Sequence, residues 1–148
     1  MRKVNTLRFG EVEIAEDKVV HFADGIPAFD DEHEFVIVPY DEESPYVFLQ
    51  SLTTPDLAFL MTIPFVFFPD YEFELDDENQ EKLDLHNQED MLIYTLITVN
   101  GGKVQDMTAN LMAPVVINTA NMQARQLVLD RSSYTTKHRL FPENKEEQ

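Results

Sequence analysis

Hydrophobic and polar residues alternate without a break from Asp70 to Asp76. Extended backbone there places Asp70, Glu72, Glu74 and Asp76 on one side and Tyr71, Phe73 and Leu75 on the other. Strand-like runs recur along the chain: Leu7 to Ile14, Val19 to Phe22, Phe35 to Tyr40, Tyr46 to Leu52, Leu57 to Ile63, Tyr71 to Leu75, Met91 to Val99, and pieces of 104–129. Their spacing of about ten residues predicts an all-β domain, an antiparallel β-barrel-like or sandwich fold. Between Ile93 to Val99 and Val104 to Leu111, Asn100-Gly101-Gly102 supplies residues that tolerate positive φ, which predicts a tight hairpin. Only Asp77 to Leu85 reads as helical, with acidic residues at its start, where they complement the helix dipole, and Leu83 and Leu85 near its end. One or two short helices are expected in all. The prolines sit at or beside the ends of these runs, as expected of a residue that cannot donate to a ladder.

The apolar content of this 148-residue chain, rich in Phe and Tyr, is enough for a real core and predicts one domain over 1–142, followed by a flexible tail at 143–148 that lacks apolar residues. Formal net charge is -17, which disfavours direct binding to nucleic acid or an anionic membrane and favours basic protein partners. The charge is uneven. Residues 70–90 carry many carboxylates and one Lys82, and residues 11–43 carry many and one Lys18, whereas 103–139 hold Lys103, Arg125, Arg131, Lys137 and Arg139 against Asp106 and Asp130. Carboxylates along one strand face repeat about every 6.8 Å and repel one another, a repulsion that a basic partner relieves.

With no Cys, disulfides, thiolate metal sites and cysteine nucleophiles are excluded. No apolar stretch follows Arg2 and Lys3, so no secretory signal is expected and the location is read as cytoplasmic. Residues 107–124 lack charge, but Asn110, Pro114, Asn118, Asn121 and Gln123 speak against a membrane span.

A hydrolase would need two carboxylates in contrasting environments, and the sequence singles out no such pair; it also lacks a phosphate loop, a nucleophile elbow and a metal motif. His21, His33, His86 and His138 show no ligand spacing. Asp76-Asp77-Glu78-Asn79 and Asp30-Asp31-Glu32 do not match a calcium loop and read as solvated acidic turns. The carboxylate row admits two readings, an ordinary solvent-facing strand or a mimic of nucleic-acid phosphates. Phe65-Val66-Phe67-Phe68-Pro69 likewise reads either as buried core or, at an edge, as an apolar anchor beside charge, the combination found in protein interfaces.

Several stretches together resemble the bacterial flagellar assembly factor FliW family: Arg8-Phe9-Gly10, Phe22 to Asp30 (Phe-Ala-Asp-Gly-Ile-Pro-Ala-Phe-Asp), Phe48-Leu49-Gln50-Ser51, Thr108 to Asn118, and Ala124-Arg125-Gln126-Leu127. They occur in order over about residues 5–141. Ala28 stands where that family usually has a second Gly, so the turn is expected to take its unusual dihedral from Gly25. The first expectation for these motifs is structural: Gly25 and Pro27 shape a turn, and Asn110 ties down a loop through its amide.

The resemblance implies a cytoplasmic, non-enzymatic protein that uses no cofactor or metal. It implies two alternative protein partners, the RNA-binding translational regulator CsrA and flagellin. Binding CsrA relieves repression of flagellin translation, and flagellin competes for the same factor. Expected partner contacts are Asp70, Glu72, Glu74 and Asp76 for charge and Phe65, Phe67, Phe68 and Tyr71 for the apolar anchor, although alternation points Tyr71 inward. The free protein is expected to be a monomer. A contrasting reading is an acidic mimic or general chaperone for basic proteins.

Overall fold

The computed structural model describes residues 2–6, 9–23, 25–26, 29, 31–39, 45–72, 75–99, 106–129 and 134–140. In chain order its strands are β1 (Arg2–Thr6), β2 (Gly10–Ile14), β3 (Val20–Phe22), β4 (Glu34–Pro39), β5 (Tyr46–Ser51), β6 (Ala58–Thr62), β7 (Met91–Val99), β8 (Met107–Ala109), β9 (Val115–Asn118), β10 (Gln123–Gln126) and β11 (His138–Arg139). One helix, α1 (Asp77–Lys82), precedes β7, and short 3-10 turns occupy Glu16–Lys18, Pro64–Val66 and Gln88–Asp90.

β7, β6, β5, β4, β3, β10 and β9 follow one another in hydrogen-bonded order, and β9 pairs with the first half of β7, so the sheet closes as a seven-stranded barrel. The pairings are antiparallel except β3 with β10. Closure removes the free edges that an open sheet would expose. Beyond the barrel the second half of β7 pairs with β8, through Ile97↔Ala109, Thr98↔Thr108 and Val99↔Met107, and β11 adds to β8. The expected β7–β8 hairpin pairing is therefore present, while its Asn100-Gly101-Gly102 turn lies outside the described residues.

Strand alternation sorts the core into an inside and three outer clusters. Val20, Phe22, Phe35, Leu49, Met61 and Tyr94 fill the barrel with Val115, Ile117 and Ala124. Their neighbours in sequence point outward, and each outward group is covered. Val36 and Val38 lie under Val4 and Ile14 of the β1–β2 hairpin. Ile93 and Val116 lie under Leu83 and Leu85, which follow α1. Tyr46, Leu60 and Ile97 lie under the segment Phe67 to Tyr71 and Leu111.

α1 forms where the acidic pattern placed it. Asp76 stays extended and accepts from the Asn79 amide at 2.8 Å, and Asp77 and Glu78 occupy the first turn. Asp84 adopts positive φ (52°), with its amide donating to the Glu81 carbonyl and the Leu85 amide to that of Gln80, a Schellman ending that folds Leu83 and Leu85 inward. The buried Asn118 of β9 then donates to the carbonyls of Leu83 (2.9 Å) and Asp84 (3.0 Å), fixing the helix end to the barrel.

The family-type motifs have visible structural work. Gly25 has φ 72° and precedes the Ile26↔Phe29 bridge, as its turn role required; Pro27 and Ala28 lie outside the described residues. The Asn110 amide oxygen accepts from the Ala113 amide at 3.1 Å and shapes the excursion between β8 and β9. Gln50 donates to the carbonyls of Pro55 and Leu57, and the Ser51 hydroxyl donates to Glu32.

Three expectations about elements are corrected. Described residues of 71–75 belong to no strand: the Tyr71 amide closes a turn on the Phe68 carbonyl (2.9 Å), and the Glu72 amide donates to the Tyr134 hydroxyl (3.1 Å). Phe65 to Pro69 is neither a buried nor an edge strand, because Pro64 starts a 3-10 turn. In the run Leu7 to Ile14, Leu7 and Arg8 lie outside the described residues, Phe9 sits in a turn, Gly10 has φ 69°, and β2 covers Gly10–Ile14.

Candidate functional site

Chain direction after β6 exposes three large apolar residues close together in sequence. Pro64 is buried and turns the backbone outward, leaving Phe65 41% and Val66 58% exposed, with Ile63 also exposed beside them. Phe67 and Phe68 turn back toward the barrel and are half-buried. Phe67 stacks on Tyr46 at 6.0 Å, and Phe68 meets His138 edge-on at 6.0 Å. Exposed Pro69, Asp70 and Glu72 follow directly, so ring surface and carboxylates adjoin.

Tyr71 holds this segment down. Its hydroxyl donates to the Leu111 carbonyl at 2.7 Å, and its ring meets Tyr134 at 4.7 Å and Phe65 at 6.0 Å. Burial, with the neighbouring Tyr134 phenol, raises the Tyr71 pKa well above the ordinary tyrosine range. A groove of about 410 Å³ lies here, with Tyr71 and Leu111 at its base and Phe68, Asp70, Tyr134 and His138 around it. The His138 Nε2 accepts the Thr135 amide at 2.9 Å, and burial lowers its pKa, so both the bond and the environment favour the neutral ring.

Ion pairs among the described residues include Lys82 with Glu78 (3.0 Å), His86 with Asp84 (2.7 Å) and Arg139 with Asp106 (3.3 Å). Neither Asp70 nor Glu72 takes part in them. Among the described residues, neither carboxylate has an ion-pair partner.

The expected contact residues separate by position. Phe65, Phe67, Phe68, Asp70 and Glu72 come together on one face. Asp76 is exposed, but its carboxylate caps α1. Glu74 lies outside the described residues. Tyr71 is only 4% exposed and supports the patch from beneath. Burial does alternate through Asp70, Tyr71 and Glu72, yet the cause is one anchored phenol and not a ladder.

Sequence reasoning missed Ile63 and Val66 as exposed members, and Leu111, Tyr134 and His138 as walls of the groove. Tyr134 offered one signal, a lone aromatic in the polar stretch 130–138. Leu111 and His138 offered none, because only the pairing of β8 with β11 brings them to this face.

The profile of the family described as FliW protein matches residues 3–140. The chain is similar to the flagellar assembly factor FliW of Bacillus subtilis, with 45% identity over 135 residues, covering 91% of this chain and 94% of that protein. It is similar to the flagellar assembly factor FliW of Geobacillus kaustophilus, with 44% identity over 141 residues, covering 95% and 96%. A crystal structure of the flagellar assembly factor FliW superposes with a TM-score of 0.90 at 42% identity, covering 97% of this chain and 99% of that one.

Proposed function

This chain belongs to the FliW family of flagellar assembly factors, and from that premise we propose that it binds a CsrA-type translational regulator, relieves repression of flagellin synthesis, and alternatively binds flagellin. The observation that carries the reading is the exposed apolar turn of Phe65 and Val66 directly beside Asp70 and Glu72. CsrA binds RNA, and a surface that meets phosphates is basic, which suits a partner of net charge -17. Long-range attraction between opposite charges speeds encounter by roughly 10 to 10³ and weakens with salt, whereas apolar burial sets how long the complex lasts.

The test is calorimetry of CsrA with the double reversal Asp70→Lys, Glu72→Lys at low and high salt. Affinity should fall at low salt and the salt dependence should flatten. Unchanged affinity and salt slope in a variant with native circular dichroism would remove this face from the interface. An acidic mimic or general chaperone would instead bind unrelated basic proteins about as well as CsrA.

For flagellin as second partner we propose a different surface, the turn that follows Gly25. Phe29 is 40% exposed on the turn that follows Gly25, and its ring packs edge-on against Phe59 at 5.4 Å. Loops carried by a rigid scaffold often hold contacts. Phe29→Ala should weaken flagellin binding more than CsrA binding; equal losses would place both partners on one surface.

A further inference from the structure

We propose that the groove between Phe68 and Tyr134 receives a single arginine side chain of a basic partner protein. This rests on the reading that the face around Asp70 binds such a partner, and it names the chemistry the groove accepts.

The walls are aromatic and do not stack on one another. Phe68 and His138 meet at 77° and Tyr134 and His138 at 66°, so these rings stand edge to face beside the groove, and Tyr134 meets the Tyr71 ring below at 69°. A volume of about 410 Å³ falls at the small end of the roughly 300–1,000 Å³ typical of ligand pockets. It suits one long side chain and not a folded segment. Beneath, Leu111 is buried and the Tyr71 hydroxyl is committed to the Leu111 carbonyl, which leaves an apolar floor for a methylene stem.

Charge decides what sits at the tip. Among the described residues that line the groove there is no Lys or Arg, and Asp70 brings a carboxylate to the rim, with exposed Glu72 two residues further along the chain. His138 holds its Nε2 lone pair toward the Thr135 amide, so it is not a competing cation. An apolar tip would leave Asp70 unanswered. A lysine tip would give up more hydration than a guanidinium, whose plane lies against ring faces while its edge donates to a carboxylate.

The experiment titrates the isotope-labelled full chain with Nα-acetyl-arginine methylamide, followed by nuclear magnetic resonance, with the lysine and leucine analogues as comparisons. The arginine probe should shift the Asp70, Glu72 and Leu111 amides and the Tyr134 and His138 ring signals more than either analogue. Asp70→Asn, at an exposed position, should weaken that binding by about three-fold. Shifts elsewhere, equal response to lysine or leucine, or indifference to Asp70→Asn would overturn the assignment. CsrA binding is measured in parallel. A silent arginine probe with CsrA binding still lost in the double reversal overturns only the arginine slot; a filled groove in a protein indifferent to CsrA supports the slot and overturns the partner.

Discussion

The Tyr71 hydroxyl donates to the Leu111 carbonyl at 2.7 Å, joining the segment that leaves the barrel after β6 to the excursion between β8 and β9. Both partners are buried, and they lie forty residues apart in the chain. The bond fixes the height of Phe68 and Asp70 above the outer face of β5, β6 and β7. It acts together with the Tyr71 amide bond to the Phe68 carbonyl and the Glu72 amide bond to the Tyr134 hydroxyl, which hold the same segment.

Tyr71→Phe keeps the ring and removes that bond, leaving a buried carbonyl without its donor. The expected cost is about 1–3 kcal/mol of stability, read by chemical denaturation. A second readout is base denaturation. Burial raises the Tyr71 pKa above its ordinary value of 10.0, so the unfolded chain loses this proton first. The stabilisation is complete below pH 10.0 and declines as pH climbs toward the folded value. Tyr71→Phe should flatten that decline, and an unchanged base limb would show that another group controls it.

His138 gives the opposite slope at the acid side. Its folded pKa lies below the ordinary 6.5 because burial disfavours the imidazolium, and protonation also costs the bond from the Thr135 amide. Its contribution is present above pH 6.5 and is lost as pH falls through the lower folded value. The melting temperature should therefore drop on acidification through this range, and His138→Phe should reduce the part of the drop that reports on the groove. Ring-proton chemical shifts of His138 give the titration directly; a midpoint above 6.5 would contradict the assignment.

Asn118 links β9 to the end of α1 through two donated bonds and also receives the Ala120 amide at 3.0 Å. Asn118→Ala removes all of them at a buried position, and the Leu83 carbonyl keeps only its bond from Asn121. The expected loss is about 1–3 kcal/mol. Hydrogen exchange should rise first at the Leu83 and Asp84 amides. Uniform acceleration across the barrel would mean that the helix end and the barrel open together.

The barrel was legible because of what its strands share. Met91 to Val99 read as one long apolar run, and β7 has those bounds, since its inward residues fill the barrel while Ile93 and Ile97 lie under outer clusters. α1 was legible from Asp76, Asp77 and Glu78 at its start. β1 was not, because Arg2 to Thr6 carries a single large apolar residue, Val4, whose burial depends on Ile14 and Val36. The segment after Pro69 misled for a physical reason: alternating burial needs only one anchored residue in three, and Tyr71 supplies it without any partner strand. The candidate site was half visible. Phe65, Asp70 and Glu72 lie close in sequence, whereas Leu111 and His138 arrive through tertiary pairing that no local pattern records, and Tyr134 was marked only as a lone aromatic in a polar stretch.

Phe65 and Val66 separate the two parts of the proposed binding mechanism. Both are exposed on a turn whose buried member is Pro64, so Val66→Ser removes apolar surface without opening a core cavity, and stability should change within about 0.5 kcal/mol. Phe65 also touches the Tyr71 ring at 6.0 Å, so Phe65→Ser is judged against its own denaturation curve. For CsrA, the double Ser variant should leave the association rate within about two-fold of the parent, because its charge is unchanged. The dissociation rate should rise by about ten-fold or more, as expected on losing two apolar side chains from the centre of a contact. The Asp70→Lys, Glu72→Lys variant should do the reverse, slowing association strongly at low salt and little at high salt. If both variants act on association alone, the apolar turn lies outside the contact and attraction between charges is all that this face contributes.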